Sequence, residues 1–361
     1  MIPLFRPYVP ELPRLDALMH SGQLAYGSET KAFEASLCAY FNSPYVLTVN
    51  SFSSAVSIAL QCLGIHFGDE VIASPMGCLV STQPYLAYGC QLRWCDVCPN
   101  TGTLDPEKLK KRITPKTRAI VHNHFCGYPG FMDEVQEIAR SSGIPIIDDG
   151  IECFGTLYHG EKIGTCSSDV TIFSFSAVRL PNTIDGAAIV FRSREHYEKA
   201  LRLRDSGIDR AHFRDELGEI NPLCDITEVG YSATMSNVNG YMGTEQMKEI
   251  DRLITRQRAN AAAFENLLDG TRWKPLNSAH GTPNYWVFGV LSDHKREDMQ
   301  LWRRMGWYAS SIHINNAGYS VFPSDPTLTG TMEFQSRFFA LPCGWWVDLE
   351  QIEDVKIYDA E

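Results

Sequence analysis

Three stretches of the chain carry residue types suited to chemistry at places where a fold would present them. The first is SFSAVRLPNTIDGAAI, residues 174–189. It reads as the end of a buried strand, an exposed turn and a second strand, a shape that presents one side chain. The polar residue best placed for this is Arg179. A guanidinium keeps its proton and is a poor nucleophile. Arg179 can instead bind an anion, pair with Asp149 or Glu152, or cap the LPN turn and point to solvent. The second stretch is IPIIDDGIECFG, residues 144–155, where two aspartates close an apolar strand. Buried carboxylates are costly without partners. Both can cap the loop; alternatively one needs a cation or a protonated ligand atom. Strand alternation turns Asp149 to the side opposite Asp148 and makes it the candidate. The third is NSFSSAVSIAL, residues 50–60. Ser53 and Ser54 stand where a strand gives way to a helix, and free N–H groups with small hydroxyls there suit a phosphate. The plainer alternative makes Ser53 only an N-cap.

Two further features resemble metal ligands. VHNHFCGYPG sets His122 and His124 two apart on one strand face. No third ligand is evident in the sequence, so a ring stacked or hydrogen-bonded near the strand ends is the better reading. Cys95 and Cys98 in CDVC have metal-ligand spacing, but no second pair accompanies them. No metal is expected.

The elements that must position these residues alternate. SPYVLTVN, DEVIAS, CQLRWCDV, TRAIVHNH and IPIIDD read as strands. SFSSAVSIALQCLG, VSTQPYLAYG, TLDPEKLKKRIT and MDEVQEIARSSG read as helices, the third with Asp105 as N-cap and Pro106 in its first turn. DVTIFSFS and AAIVFRS read as adjacent strands. Apolar runs alternating with helices predict a doubly wound, mostly parallel sheet, with ligands beyond the carboxyl ends of its strands. Residues 242–270 read as one long connector helix. YWVFGVLS, ASSIHIN and RFFALP then read as strands, and residues 345–360 as a closing helix.

Composition sets outer bounds. The 361 residues are 44% hydrophobic and 21% charged, with a net charge of −11. That is globular composition, enough for two domains or one large one, and the charge argues against nucleic acid or an anionic membrane as partner. No apolar run approaches the roughly 20 residues of a membrane span. MIPLFRPYVPELP does not read as a signal peptide, and 11 scattered cysteines fit a reducing cytoplasm.

Together these features resemble the sugar-nucleotide aminotransferases of the DegT/StrS type, which are fold type I pyridoxal-phosphate enzymes. AYGSETKAFEASLCAYF, GDEVIASPMGC, ITPKTRAIV, HFCGYPGFMD and IPIIDDGIECFGTLYHGEKIG are similar to that family's motifs, in order and nearly end to end. HINNAGYSVF and LPCGWWV resemble the branch that aminates the C4 keto group of nucleotide hexoses, in lipopolysaccharide or antibiotic sugar biosynthesis. The resemblance implies a large α/β domain with a seven-stranded, mostly parallel sheet over residues 1–243. It implies a connector and a smaller α+β domain over 244–361. It further implies a homodimer with sites at the interface, a nucleotide-sugar substrate, and PLP or PMP as cofactor.

Carried across residue by residue, Asp149 falls on the partner of the pyridine nitrogen. Ser53, Ser54 and Ser174 fall on phosphate contacts. Cys78 falls where a residue stacks on the ring, and Glu152 where a Gln or His stands near the ring hydroxyl. Ser232 replaces an Asn or Lys that reaches the partner's cofactor. His124 and His313 are kept among residues near the chemistry. Phe52 replaces a small residue and is expected to crowd the phosphate cup; Asn315 replaces an Arg. Arg179 stands where the family carries its Schiff-base lysine. It can neither attack an aldehyde nor act as the general base. The resemblance thus leaves two readings: an enzyme that holds PLP or PMP noncovalently, or a silent binding partner in which Arg179 meets an anion. A single deliberate exchange of the lysine would not bring Phe52, Ser232 and Asn315 with it.

Overall fold

The computed structural model describes residues 1–165, 168–278 and 281–356. Its strands are β1 (Val46–Val49), β2 (Glu70–Ala73), β3 (Gln91–Trp94), β4 (Thr117–Asn123), β5 (Ile146–Asp149), β6 (Leu157–Tyr158), β7 (Glu161–Lys162), β8 (Val170–Ser174), β9 (Ala187–Phe191), β10 (Lys274–Pro275), β11 (Gly281–Thr282), β12 (Phe288–Leu291) and β13 (Phe338–Leu341). Seven form the main sheet in the order β1-β9-β8-β5-β4-β2-β3. Pairing is parallel from β8 through β3, and β9 runs antiparallel to both its neighbours.

The sequence makes this sheet by burying both faces. In β1 and β9 successive residues enter different cores. Leu47, Val49, Ala187 and Ile189 join the cluster on one face, while Val46, Ala188 and Val190 join the other. Continuous apolar runs, not alternating ones, are what two covered faces demand. Each fully buried Val, Leu or Ile contributes about 1.5–3 kcal/mol.

The helices are α1 (Leu15–Met19), α2 (Ser28–Phe41), α3 (Phe52–Cys62), α4 (Leu79–Tyr88), α5 (Pro106–Arg112), α6 (Met132–Ser142), α7 (Arg194–Leu203), α8 (Asn237–Met247), α9 (Ile250–Leu268), α10 (Lys295–Arg304), α11 (Thr329–Arg337) and α12 (Leu349–Glu353). Asp105 caps α5 as expected, accepting from the N–H groups of Glu107 and Lys108. α2 packs Phe33, Leu37 and Phe41 on one face of the sheet; α3 packs Ala55, Ile58 and Ala59 on the other. The second sheet, β10-β12-β13, is antiparallel and buries Trp273, Trp302 and Trp307 with Phe264 of α9. α9 therefore touches both cores, because its Ile250 and Ile254 sit in the first.

Three expectations are corrected. The connector is two helices. α8 is drawn onto α2 by Gly240 and Gly243, α9 runs to the second sheet, and the chain turns at Lys248 and Glu249. ASSIHIN is no strand. Ile312 has φ 55, a left-handed conformation that a β-branched residue rarely adopts and that no strand continues through. Only single bridges, Ser310 to Ala340 and Met76 to Asn315, remain there. The closing helix is one short turn of α12 behind the Asp348–Gln351 capping box. Residues 357–361, the end of that expected helix, and Cys166 lie outside the described residues.

Candidate active site

β5 ends in Asp149, β1 runs into the amino end of α3, β2 leads to Cys78 at the N-cap of α4, and β8 leads through Ser174 to Arg179. All four deliver polar residues beyond their carboxyl ends. Asp149 is 1% exposed; its Oδ2 accepts from Asn123 Nδ2 at 3.0 Å and its Oδ1 from the Ile151 N–H at 3.1 Å. Burial pushes its carboxyl upward, and these hydrogen bonds only partly offset that.

Glu152 is the hub. Its Oε1 is 2.7 Å from His313 Nε2 and 3.3 Å from Arg179 Nη2, and its Oε2 accepts from the Cys126 N–H at 2.8 Å. Burial alone would raise this carboxyl. His313 and Arg179 outweigh it and hold Glu152 below the usual carboxylate range. The left-handed turn at Ile312 is what aims His313 inward.

Arg179 is 8% exposed, so the surface-cap reading is corrected. Its guanidinium lies 4.2 Å over the Trp286 ring, and its Nε and Nη1 have no protein partner. The loop that carries it is closed at the base by Phe175 N–H to Gly186 O and Thr183 N–H to Phe175 O. The space shared by Glu152, Ser174, Arg179 and Trp286 is about 10 Å³, room for no more than one water. Cys78 is half-buried within electrostatic reach of Glu152, Arg179 and Asp149; burial first, then Glu152, pushes its thiol up.

The serines divide. Ser51, not Ser53, is the N-cap of α3, accepting from the Ser54 N–H at 3.1 Å. Ser54 Oγ donates to Asn50 Oδ1 at 2.8 Å, and Ser53 is exposed on the first turn. Ser174 is buried and accepts from the Ser176 N–H. Phe52 is 4% exposed, taken into the core that α3 shares with β1 and β9. Ser232 is exposed, with its carbonyl accepting from Asn50 Nδ2 at 3.2 Å.

His124 does not join the Glu152 group. His122 and His124 share one face, as their spacing predicts, and both rings point at Asp148 on the sheet face opposite Asp149. His122 Nδ1 is 3.4 Å and His124 Nε2 3.5 Å from Asp148 Oδ1, all fully buried. Ser168 donates to Asp148 Oδ2. Asp148 is the third group that the sequence did not reveal, and it brings three possible metal ligands together. Yet the Gly130 N–H donates to His124 Nδ1 at 3.3 Å, which leaves the proton on Nε2 and turns it toward Asp148. The ring thus faces Asp148 as an electrostatic partner, although His124 Nε2 and Asp148 Oδ1 make no hydrogen bond. Against the cost of burial, the two histidines hold Asp148 well below the usual carboxylate range.

Trp286, Cys126, Asn123 and Ser51 escaped sequence reasoning. Only Ser51, one residue before a helix, left a readable signal.

The sequence profile of the DegT/DnrJ/EryC1/StrS aminotransferase family matches residues 9–356. The chain belongs to that family. Among solved structures, the sugar aminotransferase CalS13 from Micromonospora echinospora is 26% identical, with a TM-score of 0.91 over 98% of this chain and 97% of that one. AtS13 from Actinomadura melliaura is 29% identical, with a TM-score of 0.91 over 98% and 96%. PseC from Helicobacter pylori, an aminotransferase involved in pseudoaminic acid biosynthesis, shares the fold at 20% identity and a TM-score of 0.87 over 97% and 96%. In this DegT/DnrJ/EryC1/StrS family member, the α/β fold and mostly parallel central sheet are those of PLP-dependent sugar aminotransferases. Asp149, Cys78, Ser174 and Arg179 lie beyond the carboxyl ends of its strands, where such sheets bind ligands. Among the described residues, no helix is long and apolar enough to cross a membrane.

Proposed function

We propose that this chain acts on a keto-sugar nucleotide with PLP or PMP held noncovalently, Arg179 having taken the place of the Schiff-base lysine. The observation that carries this reading is the Arg179–Glu152–His313 group. A carboxylate near the cofactor's ring oxygen is unfavourable alone, and here a guanidinium offsets its charge. Two departures from the family pattern are thus one compensated change. The rest of the site suits a phosphorylated pyridine. Asp149, buried and with heightened proton affinity, would hold a proton at the ring nitrogen. The amino end of α3 with Ser53 and Ser54 would take the phosphate.

When bound, the cofactor supplies the electron sink and, as PMP, the amino group. Arg179 stays protonated and fixes Glu152. Proton movement then falls to His313, whose Nε2 rests on Glu152 Oε1. Loss of one general base typically costs roughly 10²–10⁴-fold, so His313→Ala lowers turnover by that order.

In the same reading residues 1–243 bind the cofactor, 244–361 form the connector and small C-terminal domain, and the protein works in the cytoplasm as a homodimer. Free cysteines and the exposed aliphatic side chains of the 206–229 excursion support the last two points.

A second reading, a silent partner that binds an anion at Arg179, draws on the guanidinium's free Nε and Nη1. The contact of Nη2 with Glu152 opposes it, since that carboxylate already offsets the guanidinium's charge. Titration with PLP or PMP separates the two. The expected result is a bound-cofactor absorbance band and stabilisation of about 2.7 kcal/mol at a hundredfold excess over Kd. If neither form gives a band or protects against unfolding, the enzyme reading fails. Arg179→Lys with Glu152→Gln is expected to bind PLP covalently, seen as cofactor mass fixed to the chain by borohydride.

A further inference from the structure

The first eight residues do not trail from the fold. Ile2 pairs with Trp307, its N–H donating to Gly306 O. Trp346 Nε1 donates to Pro3 O at 2.9 Å and Trp345 Nε1 to Arg6 O at 3.2 Å. The far end of the segment grips the loop that carries Arg179. Tyr8 O accepts from Asn182 Nδ2 at 2.7 Å and from Gln246 Nε2 at 2.8 Å. Between these anchors Phe5 stacks on Trp286, with ring centroids 4.6 Å apart and planes at 17°. Trp286 donates its indole N–H to Val178 O at 2.9 Å and carries the Arg179 guanidinium over its ring. Trp286 is itself fixed to the Glu152 turn. Asn284 Oδ1 accepts from the Trp286 N–H, and Asn284 Nδ2 donates to Glu152 O at 2.8 Å.

We propose that residues 1–8 are a strap that positions Arg179, with Phe5 and Trp286 as positioning residues acting through the guanidinium. The physical need is plain. Arg179 has one single-point contact with Glu152, at 3.3 Å, and two nitrogens without protein partners. A long flexible side chain held so loosely would lose its place in the small space beside Glu152. The ring of Trp286 supplies the missing restraint, and cation–π contact strengthens when desolvated. Phe5 in turn fixes the ring. For PMP binding the inference rests on the reading above: with Arg179 displaced, Glu152 faces the cofactor's ring oxygen uncompensated.

The test has two arms in the full-length protein. The first needs no cofactor. In ¹H–¹⁵N spectra of the arginine Nε–H region, the Arg179 signal is assigned by its loss in Arg179→Lys, and the Trp286 ring current is expected to displace it. Phe5→Ala is expected to move it toward the other arginines, Phe5→Leu to do so in part, and Phe5→Tyr to restore it. An Arg179 signal unmoved by Phe5→Ala and Phe5→Leu overturns the proposal. If Phe5→Ala does not fold, Phe5→Leu alone decides. The second arm is PMP titration. Phe5→Ala is expected to raise the Kd about threefold to tenfold in the native background and to leave it unchanged in Arg179→Met. An equal rise in both backgrounds makes Phe5 merely structural and also overturns the proposal. PMP that binds no variant, with the first arm intact, overturns the functional reading and leaves the strap standing.

Discussion

Asp149 and Glu152 lie one turn apart, yet their surroundings push them in opposite directions. Asp149 has its carboxyl raised by burial. Such a group favours the fold below its unfolded pKa and loses that advantage as pH climbs through the raised folded value. At pH 8 an ionised Asp149 therefore costs stability, whereas an ionised Glu152, lowered by His313 and Arg179, adds it until acid protonates it. Asp149→Asn should weaken PMP binding at least about tenfold, by loss of a charge-assisted hydrogen bond. The same variant should unfold at equal or higher temperature than the native protein at pH 8, by calorimetry. A fall in both would mean that the ionised carboxylate is an integral brace of the turn. Arg179 was legible from the spacing of the loop alone. Pairing with Asp149 or Glu152 was one reading open to it, and Glu152, 27 residues away, is the partner; His313, a further 161 from Glu152, was not legible as the third member, and only the left-handed turn at Ile312 brings it in. No local pattern signals a residue that enters through a backbone conformation its neighbour's type disfavours.

At the scale of elements, α8 shows why periodicity misplaced a boundary. Gly240 would be a weak helix residue in isolation, and alanine there would gain about 1 kcal/mol of propensity. In place, a Cβ on Gly240 lies 2.4 Å from Thr30 Cα, backbone against backbone. The steric term wins. Gly240→Ala should destabilise by about 1–3 kcal/mol in denaturant unfolding, the cost of overpacking a close contact. The strands were legible because both faces are apolar throughout, and so was the capping of α5. ASSIHIN, with Ile312 and Ile314 two apart, carries the same signal without being a strand: Ile312 packs against a core in a left-handed turn and Ile314 is exposed.

At the scale of the whole molecule, the excursion between α7 and α8 exposes Leu217 at 87%, Leu223 at 89% and Val229 at 86%. In the functional reading these aliphatic side chains serve the proposed homodimer, and exposed Ser232 lies just past them in sequence. The triple variant Leu217→Asp, Leu223→Asp, Val229→Asp should sediment as a monomer where the native protein sediments as a dimer. Its unfolding free energy per chain should change little, since exposed positions usually matter by less than about 0.5 kcal/mol each. A native protein that sediments as a monomer would remove the homodimer from the functional reading.

The cluster of His122, His124 and Asp148 faces away from every candidate for chemistry, yet β4 and β5 carry it on the same few residues that carry Asn123 and Asp149 on the front. The sheet there is a two-sided lever. A substitution that shifts the backbone of β4 or β5 from behind carries Asn123 and Asp149 with it and touches no ligand contact. Gly130, whose Cβ would fall 2.3 Å from His122 Nε2, is one place to apply it.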